Sequence, residues 1–401
     1  MNYELLLNEI LNIGKELLKS GAEIDRVEDS IYRMVESYQV KQCNVFAIQS
    51  NIQVTVELPD GHFITQIRRI HRVGNNYERL DHLNDLSRYI SRNTPPVDEI
   101  REKYKEIMER KQQPVYLSYL STVMGGIGFA VYFGCDFTDI MVGIVVCAAV
   151  EAYLGDILGK REQNLVVYNI VIAFLSAVAV FFAFRLGLGH HPNRIVLGLN
   201  MVLVSGLGVT NGIRDVLNRS YLSGILNVLN ACLGAVGIAC GTGLAIILFK
   251  GNMDAQYVSP SALIQIIGCG VGSLGFALMF KASVRHSLVA GLGALLNYGS
   301  YLVVLHFQGS NFLAVLVSAA LVAVFAYIMS RIYKAPSTIF LTTAILPMVP
   351  GSALFYMMYG LTQADYGMAK EQVVLIGEIC LAIAFGFLVV EIATRYLKRN
   401  G

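Results

Sequence analysis

Beyond Pro114 the chain is a succession of apolar runs near 20 residues long, the length an α-helix needs to cross about 30 Å of hydrocarbon. Repetition of such runs leaves few folds open. Inside a bilayer every backbone N–H and C=O must be bonded within the protein, so the runs have to be helices. Ten spans are expected: Val115–Gly134, Ile140–Leu158, Leu165–Leu186, Ile195–Val209, Tyr221–Phe249, Ala262–Phe280, Leu288–Phe307, Phe312–Ser330, Ser337–Tyr359 and Val373–Thr394. The fourth is short and rich in glycine. Charged residues make up 15% of the chain, against about 25% in soluble domains, and they are unevenly placed. Residues 1–113 hold 16 Lys/Arg and 18 Asp/Glu, whereas 114–401 hold only 15 and 11. Three domains follow: a soluble domain over 1–113, a first membrane module over 114–250 and a second over 251–401.

The soluble domain reads as α+β. Leu6, Ile10, Ile13 and Leu17 recur at helical spacing, as do Ile24, Val27, Ile31, Met34 and Val35. The period then changes to two at Ile52, Val54, Val56 and Leu58. Pro59-Asp60-Gly61 turns the chain into a second strand over His62–Ile70. Helices are expected again over Tyr77–Ser91 and Asp98–Gln112. Met1–Ser20 is a charged amphipathic helix without an apolar h-region, so no signal peptide is expected. The basic stretch Arg68–Arg72 reads as a solvated strand end in preference to an anionic-lipid contact. None of the seven cysteines forms a Cys-x-x-Cys pair, and His62, His71 and His82 lack ligand spacing. No metal, cofactor or disulfide framework is therefore expected. A net charge of +2 implies no nucleic-acid partner.

Basic residues between spans set the orientation. With the soluble domain inside, the inner side carries Lys160, Arg161, Arg214, Arg219, Lys281, Arg285, Arg331, Lys334, Arg395, Lys398 and Arg399. The outer side carries Arg185, Arg194, Lys250 and Lys370. Both termini are thus expected in the cytoplasm, with the body in the plasma membrane.

The first and sixth spans share a motif. Residues 125–133 (GGIGFAVYF) and 272–280 (GSLGFALMF) match at five of nine positions, at an offset of 147. Leu203-Val204-Ser205-Gly206 meets Met348-Val349-Pro350-Gly351 at an offset of 145. Five spans per repeat is an odd number, so the second copy enters the membrane from the opposite face. The expected fold is an α-helical polytopic membrane protein, a 5+5 inverted repeat behind a small α+β domain. That plan belongs to secondary transporters, in which substrate sits mid-membrane between halves.

Three segments resemble the threonine/serine exporter (ThrE-like) family in its fused two-module form. They are Gly21-Ala22-Glu23-Ile24-Asp25-Arg26-Val27-Glu28-Asp29, then Asn211-Gly212-Ile213-Arg214-Asp215-Val216-Leu217 with Gly224, then Ala335-Pro336 followed by Ile345-Leu346-Pro347-Met348-Val349-Pro350-Gly351. The resemblance covers nearly the whole chain. It implies export of threonine and serine driven by the proton motive force. The split form of the family implies succinate, so a dicarboxylate stays open as the alternative substrate. The partners expected are a small polar metabolite, protons and the bilayer; an oligomer is compatible with the sequence.

Interrupted helices at matching places of two repeats point to a binding site. Around the first, Asn200, Ser205, Gly206, Asn211 and Asp215 are candidates; around the second, Pro347, Pro350 and Gly351. Glycine and proline free backbone groups that can face a cavity; tight helix packing by small residues is the competing reading. Glu151 and Glu378 are carboxyls inside spans, where ionisable groups are costly and usually functional. Each suits a proton-coupling site, and each is also explained by a structural hydrogen bond. Asp215 can equally bind at the inner mouth or pair with Arg214. Asn200, Asn227, Asn230 and Asn297 can line a path or join helices. His306 and His190-His191 read as solvated at outer boundaries. No Gly-x-Ser-x-Gly, His-Glu-x-x-His, Ser-x-x-Lys or phosphate-loop pattern occurs, so a transporter is expected in place of a membrane enzyme. A sensor or channel gated by the soluble domain is the remaining class, and no filter-like sequence favours it.

Overall fold

The structure, a computed structural model, describes residues 2–70, 73–111, 113–162, 164–204, 206–217, 220–249 and 260–400, without the side chains of 207, 214, 217, 362 and 395–400. Ser205, His71, Arg72, Arg219 and the expected 250/251 module boundary lie outside the described residues. The chain divides into two compact units.

The first unit starts with α1 (Tyr3–Lys19) and α2 (Ile24–Glu36), runs through β1 (Gln42–Ile48), β2 (Asn51–Glu57) and β3 (Phe63–Arg69), and adds α3 (Tyr77–Asn93) and α4 (Val97–Glu109). The strands form an antiparallel meander with Val45 opposite Val54 and Val54 opposite Gln66. The alternation read from sequence holds: Ile52, Val54 and Val56 are buried, and they share a core with Ile10, Ile13, Leu17, Val27, Ile31 and Met34. Asn2 starts α1 by accepting the Leu5 N–H at 3.1 Å, a side-chain cap. Gly21 turns the chain between α1 and α2 at φ 93°, a left-handed geometry where a side chain would also strike Asn75.

Two short pieces from much later in the sequence, Phe280–Ser283 and Tyr333–Ile339, belong to this same unit. The Tyr77 and Glu78 N–H groups donate to Phe280 O at 2.9 Å and Lys281 O at 3.0 Å. Thr338 Oγ1 donates to Glu23 Oε1 at 3.0 Å, and Arg26 Nη2 donates to Ser337 Oγ at 2.9 Å. Glu23 and Arg26 lie in the first signature segment; Ser337 and Thr338 directly follow Ala335-Pro336 of the third. The two segments are therefore parts of one contact.

The second unit is all-helical. It comprises α5 (Val115–Tyr132), α6 (Phe137–Val146) continuing through π-helical turns at Cys147–Leu154 into α7 (Gly155–Arg161), α8 (Leu165–Arg185), α9 (Pro192–Leu203), α10 (Gly206–Leu217) and α11 (Tyr221–Phe249). After these come α12 (Ala262–Met279), α13 (Val284–Gln308), α14 (Asn311–Tyr333), α15 (Ser337–Ala344), a 3-10 turn at Leu346–Met348, α16 (Gly351–Thr362) and α17 (Tyr366–Asn400), of which residues 333 and 337–339 count with the first unit. Among the described residues, eight continuous helices are long and apolar enough to cross a membrane. A ninth candidate is the pair Ser337–Met348 and Gly351–Leu361, bent by 52° at its break. The fourth expected span, Ile195–Val209, is not one helix: α9 stops at Leu203 and α10 starts at Gly206, each 12 residues long. Val204 is extended there (φ −71°, ψ 121°), ahead of a Ser-Gly-Leu-Gly run that holds a helix poorly. Ile225, Ile247, Leu248, Leu292, Val303 and Val389 point outward, as a surface solvated by lipid requires.

Element lengths recur along the chain. The helices α5 and α12 are 18 residues each and begin 147 apart; Phe137–Arg161 and α13 are 25 residues each at the same spacing. The helices α10 and α16 are 12 residues each and begin 145 apart, as do α11 and α17. The crossing of α5 and α12 is reciprocal. A methyl added at Gly128 would collide with the Gly272 backbone, and one added at Gly275 would collide with the Gly125 backbone. At the 147 offset, Gly125 corresponds to Gly272 and Gly128 to Gly275. Glycine at these positions lets the two backbones touch, which is how helices gain packing energy in lipid.

In the first unit one carboxyl sits badly. Asp81 Oδ1 is buried without a hydrogen-bond partner among the described residues; burial first, and then the Asp85 charge, push its pKa up to about 6. The folded state disfavours the ionised form, so stability falls as pH rises through about 4 to 6. We expect Asp81→Asn to stabilise the full chain at pH 7.5 by about 1–2 kcal/mol, discounted for partial exposure, and to have no benefit below pH 4. Thermal unfolding of both proteins across that pH range checks it; an unchanged pH profile would contradict it.

Candidate functional site

The two helix interruptions meet. On the first, Val204 N–H still donates to Asn200 O at 2.9 Å, but the extended Val204 ends α9. On the second, Ile345 closes the last turn of α15 through Leu341 O at 3.1 Å. The chain then makes a single 3-10 turn and leaves it at the extended Val349 (φ −65°, ψ 130°). Pro347 and Pro350 supply no N–H to continue the ladder. The helix resumes at Gly351, with Leu354 N–H donating to Pro350 O at 3.0 Å. A Cβ at Gly351 would lie 3.0 Å from Met201 Cε and 3.5 Å from Val204 Cγ1. The start of α16 thus rests on the end of α9, and the absent side chain permits the approach.

Two buried amides border the interruptions. Asn200, 2% exposed, donates Nδ2–H to Thr242 Oγ1 at 3.2 Å, while its Oδ1 has no partner among the described residues. Asn297, 0% exposed, donates Nδ2–H to Ala344 O at 3.0 Å, and its Oδ1 is likewise unpartnered. Chemistry fixes the Asn297 orientation: a backbone carbonyl only accepts, so the NH2 end must face Ala344 and the oxygen must face away. Each unpaired buried acceptor costs about 1–3 kcal/mol, so both oxygens suit a ligand that brings donors. Ser273 Oγ, also 0% exposed, is another buried atom of this unit without a partner among the described residues.

Glu151 lies in the π-helical turns of the second span and is 5% exposed. Its carboxylate receives Cys147 Sγ–H at 3.3 Å and Ser176 Oγ–H at 3.5 Å. Such turns insert an extra residue into a helix and occur often at functional sites. Gly126 connects this carboxyl to the break: its missing Cβ would meet Cys147 Sγ at 3.1 Å and Leu199 Cδ2 at 3.1 Å. Glu378 belongs to another cluster. It is half-buried on α17 and accepts Asn311 Nδ2–H at 3.2 Å, and Asn311 Oδ1 accepts Tyr301 Oη–H at 3.1 Å.

Of the sequence candidates, Asn200, Gly206, Pro347, Pro350 and Gly351 border the interruptions. Asn211 and Asp215 do not; they lie about 8 and 14 Å along α10 from its first residue. Asp215 accepts Asn227 Nδ2–H at 2.8 Å, which ties α10 to α11. Asn297, left ambiguous by sequence, reaches the break because α13 folds back against α15. No local pattern marks it. Also missed were Asp136 and Asp139, the partners of the histidine pair. His190 Nδ1 is 2.5 Å from Asp136 Oδ2 and His191 Nδ1 is 2.9 Å from Asp139 Oδ2. His190, hydrogen-bonded to Asp136, has a raised pKa; the same bond, with the Asp139 N–H and Thr138 hydroxyl, holds Asp136 well below the usual carboxylate range.

We expect Asn297→Leu to strip Ala344 O of its donor, a loss of about 1–3 kcal/mol that removal of the unpartnered Oδ1 offsets in part, for a net fall in stability of under about 2 kcal/mol, read as a reduced Tm of the full chain in detergent. No change in Tm would mean that this carbonyl is satisfied in another way.

Comparison with known proteins agrees with the membrane architecture. Residues 9–249 match the family profile described as "Putative threonine/serine exporter", and residues 265–393 match "Threonine/Serine exporter, ThrE". Among curated relatives, the "Threonine/serine exporter" of Corynebacterium glutamicum is 24% identical, covering 98% of this chain and 83% of the relative. The "Probable threonine/serine exporter" of Mycobacterium tuberculosis (strain ATCC 25618 / H37Rv) is 23% identical over 90% and 70% respectively. No solved structure matches the chain. With profiles spanning both halves, the chain belongs to the threonine/serine exporter family, a family of multi-pass membrane exporters.

Proposed function

We propose that this protein is a secondary transporter of the plasma membrane that exports serine and threonine against protons, with both termini in the cytoplasm. The observation that carries the proposal is the meeting of two interrupted helices at Val204 and Gly351, each bordered by a buried amide oxygen in want of a donor. Freed N–H groups at half-helix starts suit the substrate carboxylate, and freed carbonyls with Asn200 and Asn297 suit its ammonium and hydroxyl. Substrate contacts are assigned to Asn200, Ser205, Gly206, Asn297, Pro347, Pro350 and Gly351. Asn211 and Asp215 are assigned to the inner approach.

The recurring element lengths and the reciprocal Gly128–Gly272 and Gly275–Gly125 contacts support two inverted modules, over 114–250 and 251–401. Reciprocity of this kind is what a two-fold axis between α5 and α12 produces. Rocking about that axis would expose the site to each side in turn. Glu151 is assigned the coupling proton: it is buried, weakly bonded, and one helix layer from the end of α9. Glu378 is the second candidate. The relatives' names favour the amino-acid substrate.

Counterflow in proteoliposomes with labelled serine, threonine and succinate, with and without an imposed pH gradient, tests this reading. Serine and threonine should exchange, a gradient should drive them uphill, and succinate should not compete. Glu151→Gln should keep exchange and lose at least ten-fold in gradient-driven accumulation. Succinate transport, or wild-type pH dependence in that variant, would overturn the assignment.

A further inference from the structure

We propose a divalent-cation site, with zinc as the best-fitting ion, at the cluster formed by Asp136, Asp139 and His191, with His190 beside it. Carboxylate oxygens of Asp136 and Asp139 and a ring nitrogen of His191 all lie within 4.8 Å of one another. Ligands at about 2.0–2.2 Å from one ion can be no more than about 4.4 Å apart, so closing the set takes a few tenths of an ångström. The donor set names the ion class. Mixed imidazole and carboxylate ligands suit zinc and its first-row neighbours, whereas magnesium and calcium prefer oxygen alone.

The fold preorganises these groups. Asp136 and Asp139 form a capping box at the start of α6: Asp139 N–H donates to Asp136 Oδ1 at 2.8 Å, and Asp136 N–H donates to Asp139 Oδ2 at 3.1 Å. The Asp139 Oδ1 atom receives the His190 and His191 N–H groups at 2.6 and 2.9 Å. Thr138 Oγ1 donates to Asp136 Oδ1 at 2.7 Å and lies 3.2 Å from His190 Nδ1. Asp139 is 0% exposed, while His191 stays partly open, so the ion has a fixed floor and an entry path. Backbone bonds hold the carboxylates in place, and these N–H contacts persist when a metal takes the opposite lone pairs. The imidazole Nδ1 protons, which face the carboxylates in this structure, are what the ion replaces. His190 lies beside the set, its Nδ1 2.5 Å from Asp136 Oδ2.

Occupancy would clasp two loops. Asp136 and Asp139 start α6, and the histidines lead into α9, the first half of an interrupted span. An ion here would fix the entry to α9 and restrain its movement. The site owes nothing to the substrate assignment and stands or falls separately from it.

The test uses the full chain, with its affinity tag removed, its seven free cysteines alkylated and bound metals stripped. Titration calorimetry with zinc chloride should report one ion per chain at micromolar affinity or tighter, and magnesium chloride should report none. His191→Gln and Asp136→Asn should each weaken zinc binding at least ten-fold. A second readout needs no variant: zinc should protect His191 of the wild-type chain from diethyl pyrocarbonate, measured by mass spectrometry. Absence of stoichiometric zinc binding, equal affinity in a folded variant, or modification of His191 at the same rate with zinc present would each overturn the site.

Discussion

A peptide group in hydrocarbon has no water to bond with, and almost every feature of the membrane part answers to that constraint. It makes the apolar runs helical, because a helix satisfies its own backbone. It also makes an interrupted helix conspicuous. At Val204 and again between Ala344 and Gly351 the ladder stops, and the loose groups need partners from elsewhere in the protein. Asn297 supplies one by donating to Ala344 O. The oxygens of Asn200 and Asn297 are left over. An interruption so expensive, repeated at matching places and brought face to face, is readily understood as a place where a polar solute completes the bonding.

The same constraint removes the hydrophobic effect as a force between helices, since lipid tails are as apolar as leucine side chains. Close packing takes its place. Glycine lets α5 and α12 touch at Gly128 and Gly272, and lets α11 approach α8 at Gly241, where a Cβ would lie 3.0 Å from Phe174 N. In the proposed mechanism, a two-helix crossing without side chains between the backbones is the surface on which one half pivots. Packing chemistry and transport chemistry therefore draw on the same small residues, so glycine alone does not distinguish a binding loop from a helix contact. The proposed site rests instead on the Asn200 and Asn297 oxygens, which have no partner among the described residues.

Much of this was legible in the sequence. The strands of the first unit followed from alternation at Ile52, Val54 and Val56, and its first two helices from the period of their apolar residues. Both interruptions followed from Ser-Gly-Leu-Gly and Pro-Met-Val-Pro-Gly, because local backbone chemistry decides where a helix fails. The fourth span was expected to be interrupted near its Ser-Gly-Leu-Gly run, and α9 does stop at Leu203 before α10 starts at Gly206. Contacts far apart in sequence were not legible. Glu23 and Arg26 with Thr338 and Ser337 are more than 310 residues apart, and Asn297 meets Ala344 47 residues on. Asp136 and Asp139 carry no sequence signal of a partner, because only folding brings His190 and His191 against them. Asp215 had the opposite fate: its motif drew attention, and the fold gave it to Asn227.

The most direct test of a site shared by two interrupted helices is cysteine accessibility. Val204→Cys and Val349→Cys would be introduced separately into a chain without native cysteines and labelled with a membrane-impermeant maleimide in vesicles of both orientations. The account predicts that both positions react, from either side as the protein cycles, and that serine slows labelling of both in parallel. Labelling of the two positions that serine leaves untouched, or that protects one and never the other, would contradict it.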